Sequence, residues 1–195
     1  MSTDVKDYIK ELRDAIMFAG LNYDIYWVYK GSRPTYVKTM NRYVSFFTTS
    51  LQAHFAALVI TLYRLYEERT DTFNIPFLLA KLRKQDELSH ETLDSLNRIY
   101  TDKAKPLWEK ISILRNKAFA HRCSAHTVLE VFKKADIALD EPRELIEVTK
   151  ELLNQLTQAR DGDTHAFNLD AREDTLWLLK DLKYAQEKRK AEEEN

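Results

Sequence analysis

The 195-residue sequence is poor in the residues that break helices, with 3 glycines and 4 prolines, and it has 1 cysteine. Glycine and proline supply most turn chemistry, so their scarcity argues for helices. The single Cys123 excludes an internal disulfide framework and fits a reducing compartment. No strand-like alternation extends beyond a few residues, and no repeat or domain linker is visible. The sequence therefore predicts a single all-α domain over residues 1–195.

The sequence also lacks an excess of charge of one sign and a long apolar run. The formal net charge is −1, so any RNA contact would have to come from a local basic patch. The first residues are charged throughout, unlike a secretory signal. The longest strongly apolar run, from Phe55 to Tyr63, is too short to span a bilayer. We therefore expect a soluble, cytoplasmic protein that makes no membrane contact.

Helical spacing and capping residues divide the chain into helices. The clearest break is KGSRPT, where Gly31 and Pro34 are expected to end a first helix and allow a second to start. This second helix, about 36–68, is apolar nearly all round, which is typical of a central helix or a subunit interface. Further helices are predicted at about 76–84, 88–122 with Pro106 as a kink or restart, 127–134, from 140 to the RDGDTH loop, and from 170 into a charged helix end that begins near 186.

The stretch LRNKAFAHR places polar chemistry in a helix that is otherwise apolar. Arg115, Asn116, Lys117, His121 and Arg122 follow one another within it. On an ideal α-helix the first Arg and the His project about 120° apart, so one helix does not bring them together tightly. Two copies related by a two-fold axis could do so, because each residue then faces its symmetry mate.

These residue types suit metal-free RNA cleavage. A histidine, with an ordinary pKa of about 6.5, can take the ribose 2′-hydroxyl proton or protonate the leaving oxygen. An arginine offers a permanent cation with a planar fork of donors for phosphate. A plainer interpretation stays open, in which His121 is a histidine at the edge of the core near a helix C-terminus and Arg122 is a capping cation.

The segment RNKAFAH resembles the signature of the HEPN (higher eukaryotes and prokaryotes nucleotide-binding) superfamily. That signature is an Arg, a polar residue that is often Asn, and a His after four to six intervening residues, which Arg115, Asn116 and His121 match. The flanking segments LYRLYEE and NIPFLLAKLRK resemble the AbiU-like abortive-infection branch. The resemblance covers the chain from Leu51 to Arg122.

The resemblance implies an antiparallel helical bundle that dimerises through its motif helices and acts as a metal-independent endoribonuclease without a cofactor. It implies that His121 is the general acid and base and that Arg115 holds the scissile phosphate. Asn116 would orient one of these groups, while Lys117 and Arg122 would add positive potential. RNA is the implied substrate, in a phage-defence or toxin setting where an antitoxin or another protein regulator could be a partner.

Two other segments match the motif spacing, and one position departs from the family pattern. Arg83 precedes His90 by the allowed spacing but is followed by a lysine. Arg160 precedes His165, but a glycine between them predicts a loop. In HEPN toxins controlled by a nucleotidyltransferase antitoxin, a Tyr that becomes modified often stands where this chain has Cys123, which argues against that form of control.

Other chemistries have weaker support. His121, Cys123 and His126 do not have the spacing of a structural zinc site, and a cysteine nucleophile would lack an oriented third group. The basic residues Lys81, Arg83 and Lys84 could bind phosphate, although a solvated helix face is the favoured interpretation. The carboxylates Glu67 and Glu68, which follow helix two, are expected to form a solvated end.

The alternative function is a non-catalytic helical dimer that binds RNA, a nucleotide or a protein partner through the same arginine-rich cleft. The net charge of −1 favours this alternative modestly, because it gives little non-specific hold on long RNA.

Overall fold

The computed structural model describes residues 4–120 and 128–193, and every regular element within these ranges is helical, as expected for a chain with so few turn residues. The predicted all-α class is therefore confirmed. The elements are α1 (Val5–Arg42), α2 (Val44–Arg64), α3 (Ile75–Gln85), α4 (His90–Arg98), α5 (Lys105–Leu114), α6 (Val128–Ala135), α7 (Glu141–Asp161) and α8 (Arg172–Glu193), with π-helical segments at Ile99–Ala104 and Arg115–Ala120.

The predicted break at KGSRPT is partly confirmed, because the 38-residue α1 consists of two helical stretches joined by a kink at Tyr36, the residue directly after this segment. Pro34 lies inside the helix, and the backbone departs from helical geometry only at Tyr36 (φ −116°, ψ 19°). A second non-helical residue, Tyr43 (φ −117°, ψ 40°), separates α1 from α2, so α2 begins at Val44, later than predicted. Tyr29 and Met40, on either side of the expected break, are buried in the same cluster. Tertiary packing thus outweighs the local preference of Gly and Pro for a turn.

The first two helices form an antiparallel hairpin. His54 of α2 lies 2.9 Å, Nδ1 to Oδ1, from Asn22 of α1, and farther along the pair Phe47 meets Tyr29 edge to face with ring centroids 5.2 Å apart. Partners that are early in α1 are late in α2, as an antiparallel pair requires.

The main core joins the first part of α1 to the second part of α2 and to α3, α4, α5 and α7. Tyr66, just beyond α2, is fully buried there, and its hydroxyl lies 2.8 Å from the Thr149 hydroxyl of α7. Its ring stacks on Tyr100 with centroids 5.7 Å apart. Burial raises the pKa of Tyr66, so the phenol stays neutral.

A second, smaller cluster packs the rest of the α1–α2 hairpin against α8. Leu179 of α8 is fully buried in it. The exposed start of α8 is held by Arg172, whose Nε donates to Asp24 of α1 at 2.7 Å. The Asp170 carboxylate accepts from the Arg172 backbone N–H, which confirms the predicted cap. The charged segment after residue 186 continues the helix to Glu193 and is largely exposed.

The fourth and fifth helices form one continuous rod with the two π-helical segments, from His90 to Ala120. The predicted restart at Pro106 is confirmed, because α5 begins at Lys105 with the proline in its first turn, directly after the first π-helical segment. The Lys105 backbone N–H bonds to the Tyr100 carbonyl five residues back. A wider turn relieves the contact between a proline ring and the preceding carbonyl, and so the helix continues.

The second helix is less central than its composition predicts. Only Phe47, Leu58, Val59 and Leu62 are buried along it, while Val44 and Phe46 are each 56% exposed. Within the described ranges, α2 is also the one helix whose length and composition would allow it to cross a bilayer. The core helix of a soluble protein meets the same criterion, and the inner half of α2 packs in the main core. The cytoplasmic location stays a prediction.

Removing a core side chain from α2 should destabilise the protein far more than removing its surface neighbour. Leu62 is fully buried and Ile60 is 42% exposed. We expect Leu62→Ala to lower the free energy of unfolding by about 2–5 kcal/mol, and Ile60→Ala to change it by less than about 0.5 kcal/mol. Urea unfolding at one protein concentration measures both, and equal effects would contradict the described packing.

Burial of His54 between the first two helices should make stability depend on pH. Burial lowers the pKa of His54, whose Nδ1–H donates to the Asn22 amide oxygen. The unfolded chain therefore binds a proton more readily than the folded one, so this histidine's contribution to stability is lost as pH falls through about 6.5.

His54→Gln keeps an N–H donor without titrating and is the matched variant for this test. The free energy of unfolding, measured in urea at about pH 7.5 and about pH 5.5, should fall less in the variant than in the wild type. An equal fall in both proteins would show that His54 is not responsible.

Candidate functional site

The motif arginine follows a helix whose position is fixed by its apolar side. Leu107, Ile111 and Leu114 of α5 lie at spacings of four and three, on one side of the helix, and are buried in the main core. The neighbouring face carries Trp108 and, one and two turns later, Ser112 and Arg115, all partly exposed. The core side of α5 therefore determines where the arginine projects.

An aromatic residue of α2 lies against this polar face. The Trp108 indole N–H donates to the Tyr63 backbone carbonyl at 3.0 Å, and the two rings stack with centroids 5.9 Å apart and planes inclined by 26°. The guanidinium carbon of Arg115 lies 4.5 Å from the Tyr63 ring centroid. This is cation–π geometry, and it holds the guanidinium plane close to one end of α2.

The next residue of the motif fixes the arginine from the other side. The Asn116 amide oxygen accepts from Nη1 of Arg115 at 2.9 Å, and its amide nitrogen donates to the Ser112 hydroxyl at 3.3 Å. Within the described part of the chain Arg115 has no further acceptor, so Nε and Nη2 keep donors for a bound anion. This is the geometry in which an arginine can hold a phosphate.

The motif itself is π-helical rather than α-helical. The π-helical segment begins at Arg115 and continues to Ala120. Such segments are rare in proteins, and those that occur are often found at functional sites. A hydrogen bond to the fifth preceding residue widens the turn and redirects the side chains. The separation of about 120° between the motif Arg and His, derived for an ideal α-helix, therefore does not apply through this segment.

The end of α2 beside the site is charged, and its first carboxylate is not the solvated end that the sequence predicts. Glu67 is only 7% exposed, whereas Glu68 is exposed. The pKa of Arg69 is raised first by its bonds to Asp71 and, to a smaller degree, by Glu67 and Tyr63 nearby.

The structure places part of the predicted site. Arg115, Asn116 and Lys117 lie together at the start of the π-helical segment and are all partly buried. His121 and Arg122 lie outside the described residues, as do Cys123 and His126 of the alternative metal and nucleophile interpretations. Among the described residues, no group of three or more His, Cys, Asp or Glu side chains could hold a metal ion.

The two other spacing matches have structural roles. Arg83 is exposed and forms an ion pair with Asp94 at 2.8 Å. Arg160 donates to Glu87 at 2.6 Å and to Asp161 at 2.8 Å, and so ties the end of α7 to the α3–α4 loop.

The sequence did not identify the two contacts that hold the motif arginine. Ser112 could have been found, since it lies four residues before Asn116 on the same helix face. Tyr63 lies 52 positions before Arg115, on another helix, at the end of the apolar run from Phe55. No spacing rule within one helix connects those two residues.

Comparison with known proteins agrees with these features. The family model HEPN_AbiU2, described as AbiU2, matches residues 2–176. No curated protein and no solved structure matches the chain. The matched range includes the α1–α2 hairpin, the Tyr63 and Arg115 contact and the complete RNKAFAH motif. This protein therefore belongs to the AbiU2 family of HEPN domains.

Proposed function

We propose that this protein is a metal-independent endoribonuclease of HEPN type that serves as a phage-defence or toxin component. The observation that carries the proposal is the fixed arginine of the family motif. Arg115 is held by the Asn116 amide and the Tyr63 ring, and no acceptor among the described residues binds its Nε or Nη2. A preorganised cation of this kind stabilises the charge that develops on a phosphate during cleavage.

The proposed reaction uses the ribose 2′-hydroxyl as the nucleophile. A base removes its proton, the 2′-oxygen bonds to phosphorus, and the bond to the 5′-oxygen breaks as that oxygen gains a proton. The products carry a 2′,3′-cyclic phosphate and a 5′-hydroxyl. His121 is assigned the proton transfers, since histidine exchanges protons near neutral pH. Arg115 holds the phosphate, and Asn116 keeps the Arg115 guanidinium in place. Lys117 and Arg122 add positive potential.

We also propose that the active form is a homodimer in which the motif helices meet. An isologous contact places each motif next to its copy and so doubles the positive charge in one cleft. This concentration of charge offsets the net charge of −1 on each chain, which by itself attracts RNA weakly. An antitoxin or another protein regulator that covers the cleft would hold the enzyme inactive.

The near-neutral charge balance supports a second candidate, a dimer that binds RNA, a nucleotide or a protein in the same cleft without cleaving it. The two functions differ in one residue. A binding site needs Arg115 and its supports, whereas a ribonuclease also needs the proton transfers assigned to His121.

Loss of the motif histidine should abolish cleavage. Labelled RNA of mixed sequence, incubated in EDTA with the wild type, should yield products ending in 2′,3′-cyclic phosphate. His121→Ala should slow the reaction by at least about 10²-fold, which is the typical contribution of a positioned acid or base. The matched control is His90→Ala, at the exposed histidine of the Arg83–His90 spacing match, and this variant should cleave RNA like the wild type.

Two results would reject the assignment. A folded, dimeric wild type that does not cleave would exclude constitutive ribonuclease activity, and retained RNA binding would then favour the binding dimer. Equal loss of activity in both histidine variants would show that the motif histidine has no special role.

The aromatic ring beneath the arginine should contribute to cleavage through position alone. Tyr63→Leu removes the ring face, and we expect a loss of about three- to tenfold in kcat/KM. Tyr63→Phe keeps the face and should restore the rate to within about twofold. The backbone bond to Trp108 survives in both variants, so a general structural defect is not expected. Equal losses in the two variants would point to the phenol hydroxyl instead.

A further inference from the structure

A cavity of about 690 Å³ lies outside the motif site, between α1, the loop after α2 and one face of α3. Its volume is in the range of small-ligand sites. The α3 wall consists of Phe77, Ala80, Lys81 and Lys84. These residues have the spacing i, i+3, i+4 and i+7, so one helix face presents an aromatic ring at one end and two cations toward the other.

Hydrogen bonds fix the opposite wall. The Tyr8 hydroxyl accepts from the Asn74 backbone N–H at 2.7 Å and donates to the Thr72 carbonyl at 2.9 Å. The Asn74 amide oxygen caps α3 by accepting from the Phe77 N–H at 2.8 Å. Burial is the main cause that raises the pKa of Tyr8, so it remains a neutral phenol in these bonds. The cavity is therefore formed before any ligand enters.

Aromatic rings line this cavity from two sides. The Tyr8 ring meets Phe73 edge to face at 4.8 Å and stacks on Phe77 at 6.1 Å, measured between centroids. Phe73 remains 38% exposed, although a phenyl ring gains from burial. A flat ring that enters the cavity would cover this surface and stack on it.

The charge of the lining is positive. Its one carboxylate belongs to Asp71, whose two oxygens accept from Arg69 at 2.9 and 2.6 Å. These bonds hold the pKa of Asp71 below its ordinary value, and the pair cancels its own charge. Among the described lining residues, Lys81 and Lys84 are the other charged side chains, whereas Arg83 forms its ion pair with Asp94 outside the cavity lining. The basic set of the sequence is divided between two faces of α3.

We propose that this cavity is a second ligand site, for a free mononucleotide. The base would lie on Phe73 and Phe77, and the phosphate would contact Lys81 and Lys84. Neither the ring nor the anion alone uses both ends of the cavity. The site uses no residue of the RNKAFAH motif and does not depend on the ribonuclease assignment.

Calorimetric titration of the full-length wild type with AMP tests the proposal directly, because a mononucleotide contains no linkage that a ribonuclease can cut. We expect saturable binding, with adenosine and ribose 5-phosphate each binding at least about tenfold more weakly. No binding of AMP, GMP, CMP or UMP up to millimolar concentration would overturn the proposal, whatever the outcome of the cleavage assay.

Substitutions separate this cavity from a general anion effect. The double variant Lys81→Gln/Lys84→Gln should weaken AMP binding at least about tenfold, and so should Phe73→Ala. Arg83→Gln removes the same charge from the other face of α3 and should change binding by less than about twofold. Equal weakening by all three variants would overturn the assignment to this cavity.

One further arm identifies the source of the nucleotide. A short single-stranded RNA is titrated in EDTA against the wild type and the Lys81→Gln/Lys84→Gln variant. If the RNA binds, loses affinity in the variant and is not displaced by AMP, the cavity is a docking position for RNA, and the proposal of a free mononucleotide is overturned. Displacement of that RNA by AMP at the AMP dissociation constant would support it.

Discussion

The apolar face shared by α1 and α2 is the constraint on which the other helices depend. The two helices contain 38 and 21 residues, and neither can bury its apolar side alone. They pair antiparallel, and the remaining helices then cover the two ends of the hairpin. One end enters the main core, and the other forms the smaller cluster with α8.

The candidate site inherits its geometry from this arrangement. Core burial of the end of α2 places the Tyr63 carbonyl and ring beside α5. Trp108 joins the two helices through that carbonyl, and Arg115 lies against the same ring. The polar site is thus built on one edge of the core, where a guanidinium can approach an aromatic face and still meet solvent.

Local chemistry was enough to predict many helix limits. Asp4 and Asp170 cap their helices through their carboxylates, and Gly162, at φ 70°, ends α7 as the RDGDTH loop requires. In each of these cases the deciding interaction lies within a few residues of the helix end.

The predictions failed where residues distant in the sequence determine the structure. Pro34 stays inside α1 and the kink comes at Tyr36, because residues on both sides pack into one cluster. Glu67 is covered, although Glu68 and Arg69 after it are exposed. At the site, the order Arg115, Asn116 was readable from the family pattern. The ring of Tyr63 was not, because only the fold brings α2 to α5. Propensity and spacing describe one segment at a time, whereas these contacts join separate segments.

The π-helical segment at Ile99–Ala104 has a consequence for how such sequences are aligned. Each residue of a helix rotates the rest of that helix by about 100° and advances it by about 1.5 Å. A π-helical turn holds one residue more than an α-helical turn, so a deletion of one residue there is absorbed when the segment becomes α-helical, and Arg115 stays beside Tyr63. A one-residue gap aligned with this segment therefore keeps the site, whereas the same gap within α5 rotates Arg115 away from Tyr63 although RNKAFAH is unchanged.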